Sequence, residues 1–536
     1  MKRAIGWRMA GLILLVTGLM ASVVQAQQPT VVFSIRGIEE LLDDVDFVGE
    51  EVGQEGLKEG AEAQLMGVTG GKGLAGIDQK KPLGFYWNAT GGGTEMPVVF
   101  LPVSDADDLK ELLTDLTPDF KDEKGQWSFT VGGTKVSAKL ANGYCFASPS
   151  PTAIAKLPDP SKIVNAKYDL AVEINLAGIP NQFKQIFLSQ TEAGGRASME
   201  NGPAAKNEAE EFGRKFGFEN TLAGLKSITN DGDRVTIGID VNSETRLVGI
   251  DFGITAKANT DLAKPMTTFG KTTPLFSGLG AETAPFRLVL SYPTSGLTEQ
   301  LDKLFSVISD SAMEEIKKSD QFDSDDDRDL AKGFATRILD IAKATVKSGS
   351  LHSGLVLEPA TEGKVRIVAG TKVAKGADAE KVLDEILNLL KDSPDVAEVK
   401  IDAAKHAGVR IHAVNPKKDE DAEKYLGDEP IHFAVRNDSV WFAAGVDNLS
   451  ALKKALDQFG KTSTRTSAPV SLQIKPASLV LLMEKDDEDL IERAKEVAGK
   501  PGDKLIFEIA PVSNGAKARL EFGVDLLGLA AQNDEK

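Results

Sequence analysis

The chain has 536 residues, of which 80 are acidic and 62 basic, and a formal net charge of -18. This length exceeds what one typical hydrophobic core organises, so we expect at least two domains. The negative charge repels phosphate backbones and anionic lipid, which disfavours nucleic-acid binding and electrostatic docking on membranes.

The amino terminus has the pattern of a secretory signal peptide. Three basic residues precede an apolar run at 9–24, and small residues predict cleavage after Ala26. The run is shorter than the roughly 20 residues of a membrane-spanning helix, although an uncleaved anchor is the alternative. We therefore predict a signal peptide at 1–26, a periplasmic or extracellular location, and no integral membrane segment in the mature chain.

Two parts of the chain share one order of sequence patterns. Residues 235–254 align without gaps on residues 505–524, and both read as two alternating strands around a polar turn. Four upstream pairs of segments recur in the same order: 31–45 with 286–305, 97–116 with 364–390, 142–157 with 437–456, and 168–175 with 469–476. We interpret this order as a tandem duplication.

The patterns predict an α+β fold in which each copy is an antiparallel β-sheet covered by amphipathic helices. Alternating segments such as 408–414 have one buried and one wet face, which is typical of antiparallel strands. We place the first unit at 27–265, a linker rich in Pro, Gly and Thr at 266–284, and the second unit at 285–536. Longer helical insertions near 204–225 and 325–346 fall at different points of the two units.

An aspartate-rich stretch is the sharpest local motif. Four aspartates alternate in DSDDDRD before a helical pattern: Asp323, Asp325, Asp327 and Asp329. Calcium prefers several hard oxygen ligands on a flexible loop, but Arg328 and Phe334 replace the Gly and Glu of an EF-hand. The pattern therefore favours an acidic helix start, stabilised by the helix dipole and the unpaired amides. A calcium site is the alternative, and calcium is the one cofactor left open.

The histidines offer a second set of candidate ligands, and all fall in the second unit: His352, His406, His412 and His432. His406 and His412 would share one face of a continuous strand, and His432 lies on a later strand that could be adjacent. No zinc-ligand spacing is recognisable, so we interpret these histidines as sheet-face or surface residues.

Two candidate nucleophiles have simple structural explanations. Cys145 lies in an alternating strand without a histidine in its unit, which indicates a buried small hydrophobe. Ser450 and Lys453 form one S-x-x-K pattern, but Ser450 lies near a predicted helix start, where capping accounts for a hydroxyl.

The strand, helix and strand-pair pattern in PVVFLPVSDADDLKELLTDL and ANGYCFASP, with its second copy in VRNDSVWFAAGVDNLSALKKAL, resembles a loose family of bacterial exported proteins of unknown function. The resemblance implies export and the α+β class. It implies no site residue, because these segments are patterns rather than catalytic motifs.

These observations favour a non-enzymatic binding or structural protein of the cell envelope, which uses its sheets to bind an envelope protein or a ligand. One alternative is a carrier of an apolar ligand such as a lipid. Another is a hydrolase whose acidic site has no local motif. No catalytic residue is assigned, and the oligomeric state stays open.

Overall fold

The computed structural model describes residues 29–89, 96–203, 205, 208–295, 298–319, 324–461, 468–484 and 487–530. The predicted signal peptide lies outside these ranges. Helices and an extensive antiparallel sheet structure together confirm the α+β class. Within the described ranges, every helix is too short or too polar to cross a bilayer.

The chain divides into two compact units. The first contains the described residues of Met1–Ala193, Leu225–Lys257 and Ala530–Lys536, and the second contains those of Gly194–Gly224 and Ala258–Leu529. The predicted linker at 266–284 therefore falls inside the second unit.

Ten described strands form the sheet of the first unit: β1 (Val31–Ile35), β2 (Leu83–Trp87), β3 (Val98–Pro102), β4 (Lys121–Glu123), β5 (Gln126–Val131), β6 (Thr134–Ala141), β7 (Tyr144–Ser148), β8 (Leu170–Asn175), β9 (Gly232–Asn242) and β10 (Leu247–Ala256). Hydrogen bonding gives the order β4-β5-β6-β7-β3-β2-β1-β8-β9-β10, and each neighbouring pair is antiparallel. The first strand thus lies inside the sheet rather than at an edge.

The second unit also has ten described strands: β11 (Phe286–Pro293), β12 (Ser350–Pro359), β13 (Val365–Lys372), β14 (Val396–His406), β15 (Val409–Pro416), β16 (Ile431–Arg436), β17 (Ser439–Gly445), β18 (Val470–Ile474), β19 (Leu505–Val512) and β20 (Gly515–Gly523). Their order is β14-β15-β16-β17-β13-β12-β11-β18-β19-β20, again with antiparallel neighbours. Adding ten to each strand number of the first unit gives this order.

The described helices are α1 (Ile38–Glu51), α2 (Leu57–Val68), α3 (Ala106–Leu116), α4 (Pro160–Ile163), α5 (Asn181–Asn201), α6 (Glu208–Asp231), α7 (Ala263–Gly270), α8 (Thr298–Lys318), α9 (Asp325–Lys347), α10 (Gly376–Leu390), α11 (Glu420–Leu426), α12 (Asn448–Gln458), α13 (Pro476–Met483), α14 (Glu488–Val497) and α15 (Asp525–Ala530). A helix pair follows both β1 and β11, and another follows both β8 and β18. The two predicted insertions, α6 and α9, are thus longer versions of α14 and α2, which follow the corresponding strands.

The closing hairpins differ from the gapless alignment by two residues. On the ladder, Val235 lies opposite Ile254, whereas Leu505 lies opposite Phe522. The turn after β9 is two residues longer than the turn after β19, so the second strands slip by two positions. A slip of two keeps every side chain on its own face of the sheet, which explains why the sequence patterns still match.

The sheet of the first unit is buried on both faces near β7. On one face, Leu109 and Leu112 of α3 pack with Trp127 and Cys145 of the sheet. The Asp105 carboxylate starts α3 by accepting hydrogen bonds from the first-turn amides. On the other face, an aromatic cluster includes Phe100 and Phe146. The expectation of one wet face therefore does not hold for this central strand.

The core of the second unit contains three aromatic rings. Phe276, Trp441 and Phe459 have ring centroids 5.1 to 5.6 Å apart. Phe276 comes from the stretch predicted to be a linker, yet only 1% of its surface is exposed. It lies over Gly354 and Gly370, which are directly opposite each other on β12 and β13. Polar and Gly-rich composition suggested a linker, but the glycines of the facing strands provide the space that this phenylalanine fills.

We expect Phe276→Ala to lower the free energy of unfolding by about 3–5 kcal/mol, because it removes a fully buried ring from a packed core. Urea unfolding followed by Trp fluorescence measures the change. Phe187→Ala is the control, since that ring is 51% exposed and its loss should cost about 0.5 kcal/mol or less. Equal effects at the two positions would contradict the assignment of Phe276 to the core.

Candidate functional site

The aspartate-rich stretch forms the start of α9. Asp323 lies outside the described residues, and Ser324 caps the helix by accepting the Asp327 amide at 3.1 Å. Asp325 forms an ion pair with Arg328, and Asp329 forms one with Lys332. Asp327 is two residues from both Asp325 and Asp329, so helical geometry directs it to the opposite side. These three carboxylates do not converge as a calcium site requires, and the geometry matches the predicted acidic helix start.

The histidines do not form a common site. A turn at Ala407–Gly408 separates His406 from His412, so the two are not on one continuous strand. His432 lies directly opposite Ala413, which places it on the other face of the sheet from His412. The expectation that His406 and His412 share one face of a continuous strand is therefore wrong, because a hairpin turn falls between them. The strand of His432 is adjacent to that of His412, as expected.

His352 belongs to a buried polar chain. Its Nδ1 lies 2.9 Å from Ser291 Oγ and its Nε2 lies 3.0 Å from Ser350 Oγ, which also accepts from Lys372 Nζ at 3.1 Å. Burial, assisted by the charge of Lys372, lowers the pKa of His352 to about 4, so the ring is neutral at pH 7. Ser291 is fully buried. This serine and histidine stabilise each other across β11 and β12, but a substrate cannot reach the hydroxyl.

Cys145 is a buried hydrophobe, as predicted from its strand. Its side chain packs in the cluster under α3 and is 3% exposed. Burial raises the pKa of the Cys145 thiol to about 12, so the reactive thiolate is scarce at neutral pH.

A group of possible metal ligands lies between α10 and β15. Glu380, Asp384 and His412 each place one ligand atom within 4.8 Å of the others. The two carboxylates are one helical turn apart, and His412 is fully buried with its Nε2 3.5 Å from Glu380 Oε1. Arg410 Nη1 lies 2.9 Å from Glu380 Oε1 and 3.0 Å from Asp384 Oδ2.

The fit of a metal ion to this group is poor for two reasons. The Arg410 guanidinium already provides the positive charge between the two carboxylates. In addition, the Asp402 amide donates to His412 Nδ1 at 3.3 Å, so the neutral ring carries its proton on Nε2. Nε2 is the atom that would have to bind the metal. We therefore interpret the group as an ion-pair network centred on Arg410, which also contacts the Asp402 carboxylate.

The sequence reading missed this network, although a pattern for it exists. Glu380 and Asp384 are spaced by four on a helix, and Arg410 and His412 are spaced by two on a strand. Each spacing puts two polar side chains on one face. Only the packing of α10 on the sheet shows that the two faces meet.

A second charge cluster lies in the first unit, at the start of α1. Arg36 binds Asp169, whose carboxylate also accepts the Val241 amide at 2.6 Å. Asp44 Oδ2 is buried nearby without a hydrogen-bond partner. Burial, together with the carboxylates of Asp169 and Glu40, raises the pKa of Asp44 to about 7. A carboxylic acid is therefore partly protonated here at neutral pH.

A cleft of about 220 Å³ opens beside α12 in the second unit. Three kinds of element line it: the loop before β11, the strands β12 and β13, and α12. The lining residues are Leu279, Gly280, Val356, Glu358, Arg366, Val368, Ser450, Ala451, Lys454, Ala455 and Gln458. The floor is apolar and the rim is charged or polar.

The spacing along α12 explains this cleft. Ser450, Lys454 and Gln458 repeat every four residues, so they form one polar row. Ala451 and Ala455 form the adjacent row, and their short side chains leave the space open. The expected capping role of Ser450 is wrong, because α12 begins after Asp447 and Ser450 is the third helical residue. Helix starts read from sequence shift easily by two residues, and this shift turns the hydroxyl toward the cleft.

Comparison with protein-family models, with curated proteins and with solved structures returned no match.

We expect Arg410→Gln to lower the free energy of unfolding by about 2 kcal/mol at pH 7, because three carboxylates lose their shared partner. The hydrogen bond from Arg410 lowers the pKa of the Asp402 carboxyl. This ion pair therefore stabilises the folded state above pH 4, and the stabilisation is lost as the pH falls through the lowered pKa. The deficit of the variant should therefore shrink in acid.

Urea unfolding at several pH values measures this effect. Arg337→Gln is the control, since Arg337 pairs with one half-exposed carboxylate, Glu385, and solvent screening leaves such a surface pair little effect on stability. A rise in melting temperature on adding Zn²⁺ to the wild type, abolished by His412→Ala, would contradict the arginine-centred interpretation.

We expect Asp44→Asn to stabilise the protein by about 1 kcal/mol at pH 8 and to have little effect at pH 4. The raised pKa means that Asp44 favours the folded state below pH 4, and this benefit is lost as the pH rises through about 7. Asparagine does not titrate, so the variant keeps its folded-state stability as the pH rises. Urea midpoints across this range test the expectation, with Glu50→Gln on the same helix as the control for removing one charge. A difference independent of pH would argue against it.

Proposed function

We propose that this chain is an exported protein of two units that arose by tandem duplication, and that it binds a small ligand in the cleft beside α12. Export rests on the sequence pattern at 1–26. A cell-envelope location follows from that pattern, and we propose a non-enzymatic role there.

The matching strand orders support the duplication. Each unit repeats the same sequence of strands, and helices occur at corresponding points. Segments paired by sequence also occupy corresponding ladder positions. Val235 lies opposite Ile174 in the first unit, and Leu505 lies opposite Ile474 in the second. Two unrelated folds would rarely share a non-sequential order of ten strands.

The cleft carries the binding part of the proposal. Ligand sites combine an apolar surface with a few well-placed polar groups on rigid elements. Here the floor is formed by Val356 and Val368, which are 1% and 2% exposed, and by Leu279. The rim adds a guanidinium, a carboxylate, an ammonium, a hydroxyl and an amide. Strands and one helix hold these groups, so the site needs no large rearrangement to accept a ligand.

The size of the cleft limits the ligand. A volume of 220 Å³ corresponds to about seven water molecules and lies below the roughly 300 Å³ at which drug-sized sites begin. A molecule of amino-acid size fits this space. The cleft therefore fits a small polar ligand better than a long acyl chain. Extraction of bound lipid, described below, tests the lipid-carrier role separately.

A thermal-shift screen of the mature protein against small acids, amines, amides and sugars tests the proposal. We expect at least one class to raise the melting temperature by several degrees, because a ligand that binds only the folded state stabilises it. Ala451→Leu should abolish the shift by filling the cleft, while its circular dichroism and its melting temperature without ligand stay close to those of the wild type.

Lys453→Met serves as the control, since Lys453 lies on the same helix but does not line the cleft. Shifts that persist in Ala451→Leu would contradict binding at this site. Stoichiometric lipid extracted from protein purified from its native compartment would favour a lipid carrier instead. Turnover abolished by one substitution would favour an enzyme.

A further inference from the structure

The charges around the cleft beside α12 are unequal, and this inequality indicates the chemical class of the ligand. Arg366 Nη2 donates to Glu358 Oε2 at 2.9 Å, and the two side chains are 22% and 15% exposed. Glu358 Oε1 accepts the Ala281 amide at 2.7 Å. Both oxygens of the carboxylate are thus engaged, whereas Arg366 Nε is buried without a partner.

Lys454 supplies a second positive charge at the rim. It is exposed and forms no ion pair with any residue that the structure describes. The cleft therefore has two cationic side chains and one anionic side chain, a net charge of +1, within a protein whose overall charge is -18. A local excess of positive charge on an acidic protein is a specific attraction for an anion.

We propose that the cleft selects a small singly charged carboxylate with an apolar body, and this inference rests on the proposed function. The carboxylate lies toward Lys454, where a charge-assisted hydrogen bond replaces its hydration. Its apolar part lies against Gly280 and Ala451, which are the partly exposed apolar residues of the lining. Ser450 and Gln458, which lie in the same row of α12 as Lys454, donate hydrogen bonds to the ligand's carboxylate oxygens.

Other small-molecule classes fit the cleft less well. A cation would meet Lys454, while the opposing carboxylate of Glu358 is already engaged. A dianion would bury a second charge for which the rim provides no further unpaired cation. A sugar usually stacks on an aromatic ring, and the residues lining the cleft include none.

Isothermal titration with three molecules of similar size and the same apolar body tests the inference: 4-methylpentanoate, the neutral 4-methylpentanamide and the cationic 4-methylpentylamine. At low salt, we expect the carboxylate to bind at least about 10-fold more tightly than the amide, with the amine weakest. Lys454→Met should weaken carboxylate binding at least about 10-fold, and the matched Lys453→Met should leave it unchanged. Raising the salt concentration should weaken binding to the wild type and have less effect on Lys454→Met.

The outcomes separate this inference from the proposed function. Equal binding of amide and carboxylate, or an unchanged affinity in Lys454→Met, would overturn carboxylate selection while leaving ligand binding in the cleft intact. The same holds if none of the three binds but another screened class gives a shift that Ala451→Leu abolishes. If Ala451→Leu changes no binding at all, the cleft is not the site and both proposals fail.

Discussion

Two glycines that face each other across β12 and β13 control the architecture of the second unit. Side chains at Gly354 or Gly370 would collide with Phe276, since an added Cβ would lie 2.7 Å from its ring or Cβ atoms. Because glycine has no side chain at either position, Phe276 can pack against Trp441 and Phe459. The chain that carries Phe276 is thereby held on the sheet. Leu279 and Gly280, which follow Phe276 by three and four residues, form one wall of the cleft beside α12. A backbone constraint therefore produces both the core and the proposed site.

Charged side chains in both units form ion-pair networks. Arg410 joins three carboxylates, and Arg36 holds Asp169. The Ser291 and His352 pair is enclosed, and burial keeps the imidazole neutral. The cleft differs from these networks because it is open to solvent and because Lys454, at its rim, forms no ion pair among the residues that the structure describes. This contrast is why we propose ligand binding at the cleft.

The aspartate-rich stretch and the histidines show how local motifs mislead. Alternating aspartates resemble a loop of calcium ligands, but a capped helix turns Asp327 away from its neighbours. His406 and His412 appear to share a strand until a two-residue turn separates them. In both cases the residue types suit metal binding, but the backbone conformation directs the side chains apart. Ligand geometry depends on dihedral angles that spacing alone does not reveal.

The sequence by itself determined the α+β class, the alternation of strands, the buried state of Cys145 and the acidic start of α9, because these follow from side-chain periodicity and helix-end electrostatics. Its five repeated segments also predicted part of the succession of elements in each unit. Only the tertiary structure decided that residues 266–284 join a core, that Arg410 occupies the acidic group, and that Ser450 and Lys454 border a cleft. These features depend on contacts between segments some 20 to 180 residues apart, and such contacts are set by sheet order and packing rather than by any local pattern.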